Sequence, residues 1–117
     1  MIKATYFKRE EFKCSCGCGF DAVDVELLAV LEELRGTSCQ PVTITNACRC
    51  EKHNKAVGGV KNSQHVKGKA ADINVKNQNP KFVAGYLDRK YPDRYGIGIY
   101  KTFVHIDVRE KKARWEG

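Results

Sequence analysis

No apolar run in this chain approaches the roughly 20 residues that a helix needs to cross a bilayer, so the sequence offers no membrane-spanning segment and insertion is not expected. The N-terminus, MIKATYFKREEF, lacks the apolar stretch of a secretory signal. Synthesis in the cytoplasm without a signal peptide is therefore expected, and work outside the cell would require release by something else. Low-complexity tracts, internal repeats and interdomain linkers are missing too, which leaves a single soluble domain over residues 1–117 as the expectation. Hydrophobic residues make up 42% of the chain and charged residues 30%, a balance that supports a buried core rather than disorder. No basic helix and no aromatic-plus-basic motif accompanies the formal charge of +7, so nucleic acid is not the expected partner. Scattered lysines and arginines favour an anionic polymer, attracted at long range.

Histidine is scarce, with three in the chain, while cysteine is plentiful, with six. Cys14, Cys16 and Cys18 alternate in KCSCGCGF, Cys48 and Cys50 flank Arg49, and Cys39 stands alone. These read as a disulfide set or as a metal knuckle. Either way, a subset of the first cluster joined to Cys48 or Cys50 would staple the irregular, Cys-rich arm of residues 1–20 to the rest. Reducing conditions at synthesis favour thiols or a structural zinc, and disulfides become available after release. No Cys-His pair lies at a recognisable spacing, so a catalytic cysteine is not expected.

Periodicity predicts a helix from Asp24 to Arg35, capped by Asp24 and ended by Gly36, with Val25, Leu28, Leu31 and Leu34 or Leu27 at helical spacing. Pro41 opens a β-branched strand, Val42 to Thr45, and a short helix is expected over Glu51 to Val57 before Gly58 and Gly59. A strand follows over Ala70 to Val75. Asn79 and Pro80 begin a helix through Lys90, with Phe82, Val83, Tyr86 and Leu87 on its apolar face and Pro92 barring continuation. Strands Gly96 to Tyr100 and Phe103 to Arg109, linked by Lys101-Thr102, suggest a hairpin. This order predicts an α+β domain with two or three helices packed on a small, mainly antiparallel sheet.

A hydrolytic zinc site uses three ligands drawn from His, Asp, Glu or Cys and leaves a fourth position open. His65 lies in NSQHVKGKAADI, whose small residues Gly68, Ala70 and Ala71 let backbone crowd close and whose strand carries Asp72. Alternation puts Asp72 and Asn74 on one face of that strand, and His105, Asp107 and Arg109 together on one face of YKTFVHIDVRE. Three polar residues on one face of a half-buried strand mark a polar pocket. On spacing alone, His65 also reads as a solvated loop histidine and Asp72 as the cap of a turn. His53 reads as a surface or packing residue, and Tyr95 and Tyr100 as core residues flanking the GIGI strand.

SQHVKGKAADI followed by GIGIYKTFVHIDVR resembles the paired signature of the zinc D-alanyl-D-alanine carboxypeptidase and murein endopeptidase family, which includes bacterial wall-remodelling enzymes and phage endolysins. DVELLAVLEELR and PVTITNACRCEKHNKAVGGVKNSQH are similar to its small single-domain branch, so the likeness runs from about Phe12 to Trp115. The resemblance implies one catalytic Zn2+ held by His65, Asp72 and His105. Arg49 falls on the family's substrate-holding arginine, although Asn46 and Ala47 replace the Ser and Gly that precede it there. Ser63 and Gln64, beside the first ligand, become candidate substrate contacts, as does Tyr100 through its hydroxyl.

Many relatives carry an acidic residue three positions before the last histidine, or a histidine two before it; Thr102 and Phe103 stand here. Asp107 is then the candidate general base, or else the carboxylate that orients His105. The resemblance implies a zinc peptidase acting on peptidoglycan stem peptides, as a D-Ala-D-Ala carboxypeptidase or an endopeptidase, monomeric and held on the anionic wall by its charge. With no signal, a phage-encoded lytic enzyme is in keeping. Two rival readings stand beside it: a catalytically impaired zinc-containing wall-binding domain, and a cysteine-knuckle nucleic-acid protein.

Overall fold

A computed structural model describes residues 6–7, 9–12, 24–47, 55–56, 65 and 68–117. Helix α1 (Val25–Ser38) begins where Asp24, in an extended conformation, accepts a hydrogen bond from the Glu26 backbone N–H at 2.8 Å. Its buried stripe is Leu27, Val30, Leu31 and Leu34, while Val25, expected on that stripe, is 57% exposed in the first turn. Gly36 does not end the helix. One glycine costs a helix interior about 1 kcal/mol, which the packing of the stripe outweighs, and Gly36 lies against the ring of Tyr6. The chain leaves the helix at Cys39, whose φ of 55° lies in the left-handed region that a side chain disfavours. Cys39→Gly should therefore raise stability by about 0.5–1 kcal/mol. A higher urea midpoint would show it, and an unchanged midpoint would mean that the left-handed cysteine is not strained.

Helix α2 (Pro80–Lys90) starts as expected: the Asn79 side chain accepts from the Phe82 N–H at 2.8 Å, and Pro80 occupies a first-turn position where its missing N–H costs nothing. Val83, Ala84 and Leu87 are buried, but Phe82 is 57% exposed. Phe82 and Tyr86 sit one residue back, about 100° around the helix, from Val83 and Leu87. That turn leaves Tyr86 half-buried at the core margin and Phe82 in solvent. Lys90 and Tyr91 both reach Glu33 of α1, at 2.6 and 3.2 Å, tying the helices together at the surface.

Among the described residues, five strands form one sheet in the order β1-β2-β4-β3-β5: β1 (Val42–Asn46), β2 (Ala70–Val75), β3 (Gly96–Ile99), β4 (Val104–Asp107) and β5 (Ala113–Glu116). The β1–β2, β2–β4 and β3–β4 pairings are antiparallel, and β3–β5 is parallel. The β3–β4 hairpin closes around Lys101-Thr102, with the Tyr100 N–H donating to Phe103 O at 3.0 Å. Alternation sends Ala71, Ile73, Val75, Ile97, Val104 and Ile106 into one core with Leu27, Leu31, Val83 and Leu87. The architecture is α+β, as expected. Strand β5 was not expected: four residues, two of them charged, carry little periodic signal, and parallel pairing with β3 places them. Of the short helix expected at 51–57, only Lys55 and Ala56 are described, helical and exposed.

Candidate metal centre

The second face of the sheet carries the chemistry, and register decides which side chains meet. Asn46, Asp72, His105, Gly98 and Trp115 are successive partners across β1, β2, β4, β3 and β5, forming one row perpendicular to the strands. Ala70, Asp107, Gly96 and Ala113 form a neighbouring row. Asp72 and His105, distant in sequence, thus become cross-strand neighbours. His65 arrives from the segment preceding β2 and is buried, at 3% exposure.

The three side chains converge on one point. His105 Nδ1 lies 3.0 Å and His65 Nε2 3.4 Å from Asp72 Oδ1. Potential donor atoms of all three fall within 4.8 Å of one another, in the one such group found among the described residues. The outward nitrogen of each ring is also engaged. His65 Nδ1 lies 2.5 Å from the Ala47 carbonyl oxygen, and His105 Nε2 lies 2.8 Å from Asp107 Oδ2. A carbonyl or carboxylate accepting from the far N–H leaves the near nitrogen as a lone-pair donor, which is how a metal-binding imidazole is held. Two imidazoles and a carboxylate suit a borderline cation such as zinc. Asn46 Nδ2 donates to the other Asp72 oxygen at 3.4 Å, steadying the carboxylate.

Behind this trio, Asp107 is fully enclosed, at 0% exposure. Arg109 grips it as a fork, Nε to Oδ1 at 2.7 Å and Nη2 to Oδ2 at 2.6 Å, and the Arg109 backbone N–H adds a bond to Oδ1 at 3.2 Å. Burial alone would raise the Asp107 carboxyl, but hydrogen bonds from His105 and Arg109 hold it far below the usual carboxylate range. Burial likewise opposes ionisation of Asp72, yet contacts from His105 and His65 depress it strongly. For His105, burial pulls its pKa down while Asp107 and Asp72 together push it above the ordinary imidazole value.

These directions set the pH response of the metal-free protein. Depressed carboxyls stabilise the fold above their unfolded pKa of about 4, and that contribution is lost as pH falls through the folded values. A raised imidazole stabilises fully below about 6.5, and its contribution is lost as pH rises through the folded value. With chelator present, the thermal midpoint should peak between about pH 4 and 6.5. A midpoint still climbing from pH 7 to 8 would contradict the charge arrangement.

Glycine shapes the wall beside His105. A Cβ at Gly98 would collide with the Trp115 indole, coming within 2.9 Å of Cζ2 and nearer to Nε1 and Cε2, and one at Gly96 would meet Arg109 Nε at 2.7 Å as well as the Asp107 carboxylate. The two glycines of GIGI are therefore space for the indole and for the Asp107–Arg109 pair. Gly98→Val should cost about 1–3 kcal/mol by overpacking and red-shift the emission of the chain's one tryptophan. Unchanged stability and emission would show that the indole moves aside freely.

His65, Asp72 and His105, expected as ligands, are thus brought together, with Asp107 behind them. Tyr100 is half-buried; its hydroxyl accepts from Trp115 Nε1 at 2.9 Å and its ring stacks on Phe103 at 4.5 Å. Tyr95, expected in the core, is there at 3% exposure. Arg49, His53, Ser63, Gln64, Cys14, Cys16, Cys18, Cys48 and Cys50 lie outside the described residues. Cys39 is exposed, with its thiol 3.6 Å from Gly36 O. Sequence reasoning missed Trp115, the Ala47 carbonyl and the Arg109 fork. The alternation of Ala113 and Trp115 against Arg114 and Glu116 carried some signal for the first.

No match to a curated protein and none to a solved structure was found. A sequence model of the family described as Peptidase M15 matches residues 5–107. That span takes in all three converging side chains and four of the five strands, and the chain belongs to the peptidase M15 family of metallopeptidases, the zinc D-Ala-D-Ala carboxypeptidase family.

Proposed function

We propose that this chain is a zinc-dependent peptidase that cleaves the stem peptides of peptidoglycan, as a D-Ala-D-Ala carboxypeptidase or an endopeptidase. The observation that carries the reading is the aim of three donors, His65 Nε2, Asp72 Oδ1 and His105 Nδ1, at one point, each ring backed by an acceptor. When bound there, zinc would supply Lewis-acid polarisation of the scissile carbonyl and acidify a water.

The chain's own residues do the rest. His65, Asp72 and His105 hold the ion. Asp107, with both oxygens engaged and no exposed surface, serves as the acceptor that fixes the His105 ring rather than as the base that takes a proton from water. Arg49 holds a substrate carboxylate or carbonyl by its planar fork, and Ser63 and Gln64 contact the peptide beside the first ligand. The Tyr100 hydroxyl accepts from Trp115 and has its own proton to donate to a developing oxyanion. The charge of +7 keeps the protein on an anionic wall polymer.

Incubation of the zinc-loaded protein with purified sacculi, followed by mass spectrometry of the soluble products, tests this. Free D-alanine identifies the carboxypeptidase, and conversion of cross-linked dimers to monomers the endopeptidase. Retention on sacculi at full zinc occupancy with neither product would overturn the peptidase in favour of a wall-binding domain.

A further inference from the structure

We infer that Trp115 is a positioning residue for the metal ligand His105: strand β5 completes the metal centre by setting an indole against the side of the imidazole. The inference rests on the reading of His65, Asp72 and His105 as a metal site and asks what holds the third of them in place.

The Nε2 hydrogen bond to Asp107 and the Nδ1 contact with Asp72 set where the His105 nitrogens point, but they leave the ring able to tilt about the line joining them. Two neighbouring rings restrict that tilt. His65 packs edge-on, with centroids 5.2 Å apart and planes at 76°, and Trp115 lies 5.2 Å away at 48°. Register makes the second contact possible: Gly98, without a side chain, is the residue between His105 and Trp115 in the row, so the indole can reach across it.

Trp115 is itself constrained. Its Nε1–H donates to the Tyr100 hydroxyl at 2.9 Å, and the Arg109 guanidinium lies 5.3 Å from its ring centroid. That same guanidinium forks onto Asp107, which accepts from His105 Nε2. His105, Asp107, Arg109 and Trp115 thus form a closed ring of contacts, with the ligand as one member and the indole as the member that closes it. Arg109 and Trp115 both lie beyond residue 107, where the family match ends. This part of the centre is built by the chain's last strand and the turn before it.

The test measures metal binding, not cleavage. Zinc affinity by chelator competition and the visible spectrum of the Co2+ form are compared for wild type, Trp115→Phe, Trp115→Leu and Trp115→Ala, with circular dichroism monitoring the fold. A phenyl ring keeps an aromatic contact beside His105 and under Arg109, so Trp115→Phe should bind zinc within about threefold of wild type. Loss of the aromatic face in Trp115→Leu and Trp115→Ala should weaken zinc about 10–100-fold, the range for lost outer-sphere support of a ligand, and should shift the Co2+ bands. Leucine retains apolar bulk under the sheet edge, so the comparison holds even if the alanine variant fails to fold. A folded leucine variant with wild-type affinity and an unchanged Co2+ spectrum would overturn the inference. A wild type that binds no zinc would instead sink the metal reading beneath it, so the two failures are distinguishable.

Discussion

Asp72→Ala should empty the metal centre and lower peptidase activity by about a thousandfold or more. Asp72 Oδ1 is the atom on which both imidazoles converge, at 3.0 and 3.4 Å, and a hydrolytic zinc site has only three protein ligands. Removing one leaves two histidines, while Lewis-acid stabilisation of a transition state contributes several kcal/mol. At about 1.4 kcal/mol per factor of ten, its loss corresponds to about three orders of magnitude. The substitution lies on the face of β2 opposite the one that packs the core, so the fold should survive. Zinc per chain after gel filtration, measured beside the release of muropeptide products, checks both halves of the statement. A variant that keeps stoichiometric zinc at this site, or that cleaves as wild type, would contradict the assignment of Asp72.

The second large effect is expected at Asp107, a residue that touches neither metal nor substrate in this account. Asp107→Asn keeps the shape but replaces one carboxylate oxygen by an amide nitrogen and removes the charge facing Arg109 and His105. Breaking a buried ion pair by removing one partner costs about 3–5 kcal/mol. Arg109 is one-third exposed and recovers some solvation, so about 2–3 kcal/mol is the expected loss of stability. Zinc affinity should fall about 10–100-fold, because the His105 tautomer is no longer fixed by an anionic acceptor. A general base would behave differently: Asp107→Asn would then abolish turnover while zinc affinity and stability stayed near wild type. Calorimetric zinc titration alongside denaturant unfolding separates the two roles.

What the sequence disclosed follows from the range over which each signal acts. Local signals are legible. Asp24 and Asn79 cap the helices they precede, and β2 spans the residues its alternation indicated. The side-chain period of two also placed Asp72, and then His105 with Asp107, on polar faces, since strand alternation needs no knowledge of neighbours. The candidate metal trio itself needed the resemblance, because nothing local says that His65 and Asp72 face His105. Cross-strand register brings them together.

The misreadings have the same origin. Gly36 is a strong local stop, yet the buried stripe of α1 carries the helix past it to Ser38. Phe82 is apolar at helical spacing, but the groove that α2 occupies takes Val83, Ala84 and Leu87 and leaves the larger ring outside. Strand β5 depends wholly on a non-local partner, and with it went Trp115 and the meaning of the GIGI glycines, which make room for a side chain well downstream. Thr102, the position at which the resemblance leads one to expect an acid, is exposed at the hairpin turn, and its carbonyl accepts from Asn74 at 2.7 Å. The turn is thereby tied to β2 on the face that bears the candidate metal centre.

The most direct measurement is a zinc-edge anomalous difference map from crystals of the wild-type protein. The account predicts a peak bonded to His65 through Nε2, to His105 through Nδ1 and to an Asp72 carboxylate oxygen, with Asp107 set back behind His105. A zinc-loaded crystal without density among these three side chains, or with His105 ligating through Nε2, would contradict it.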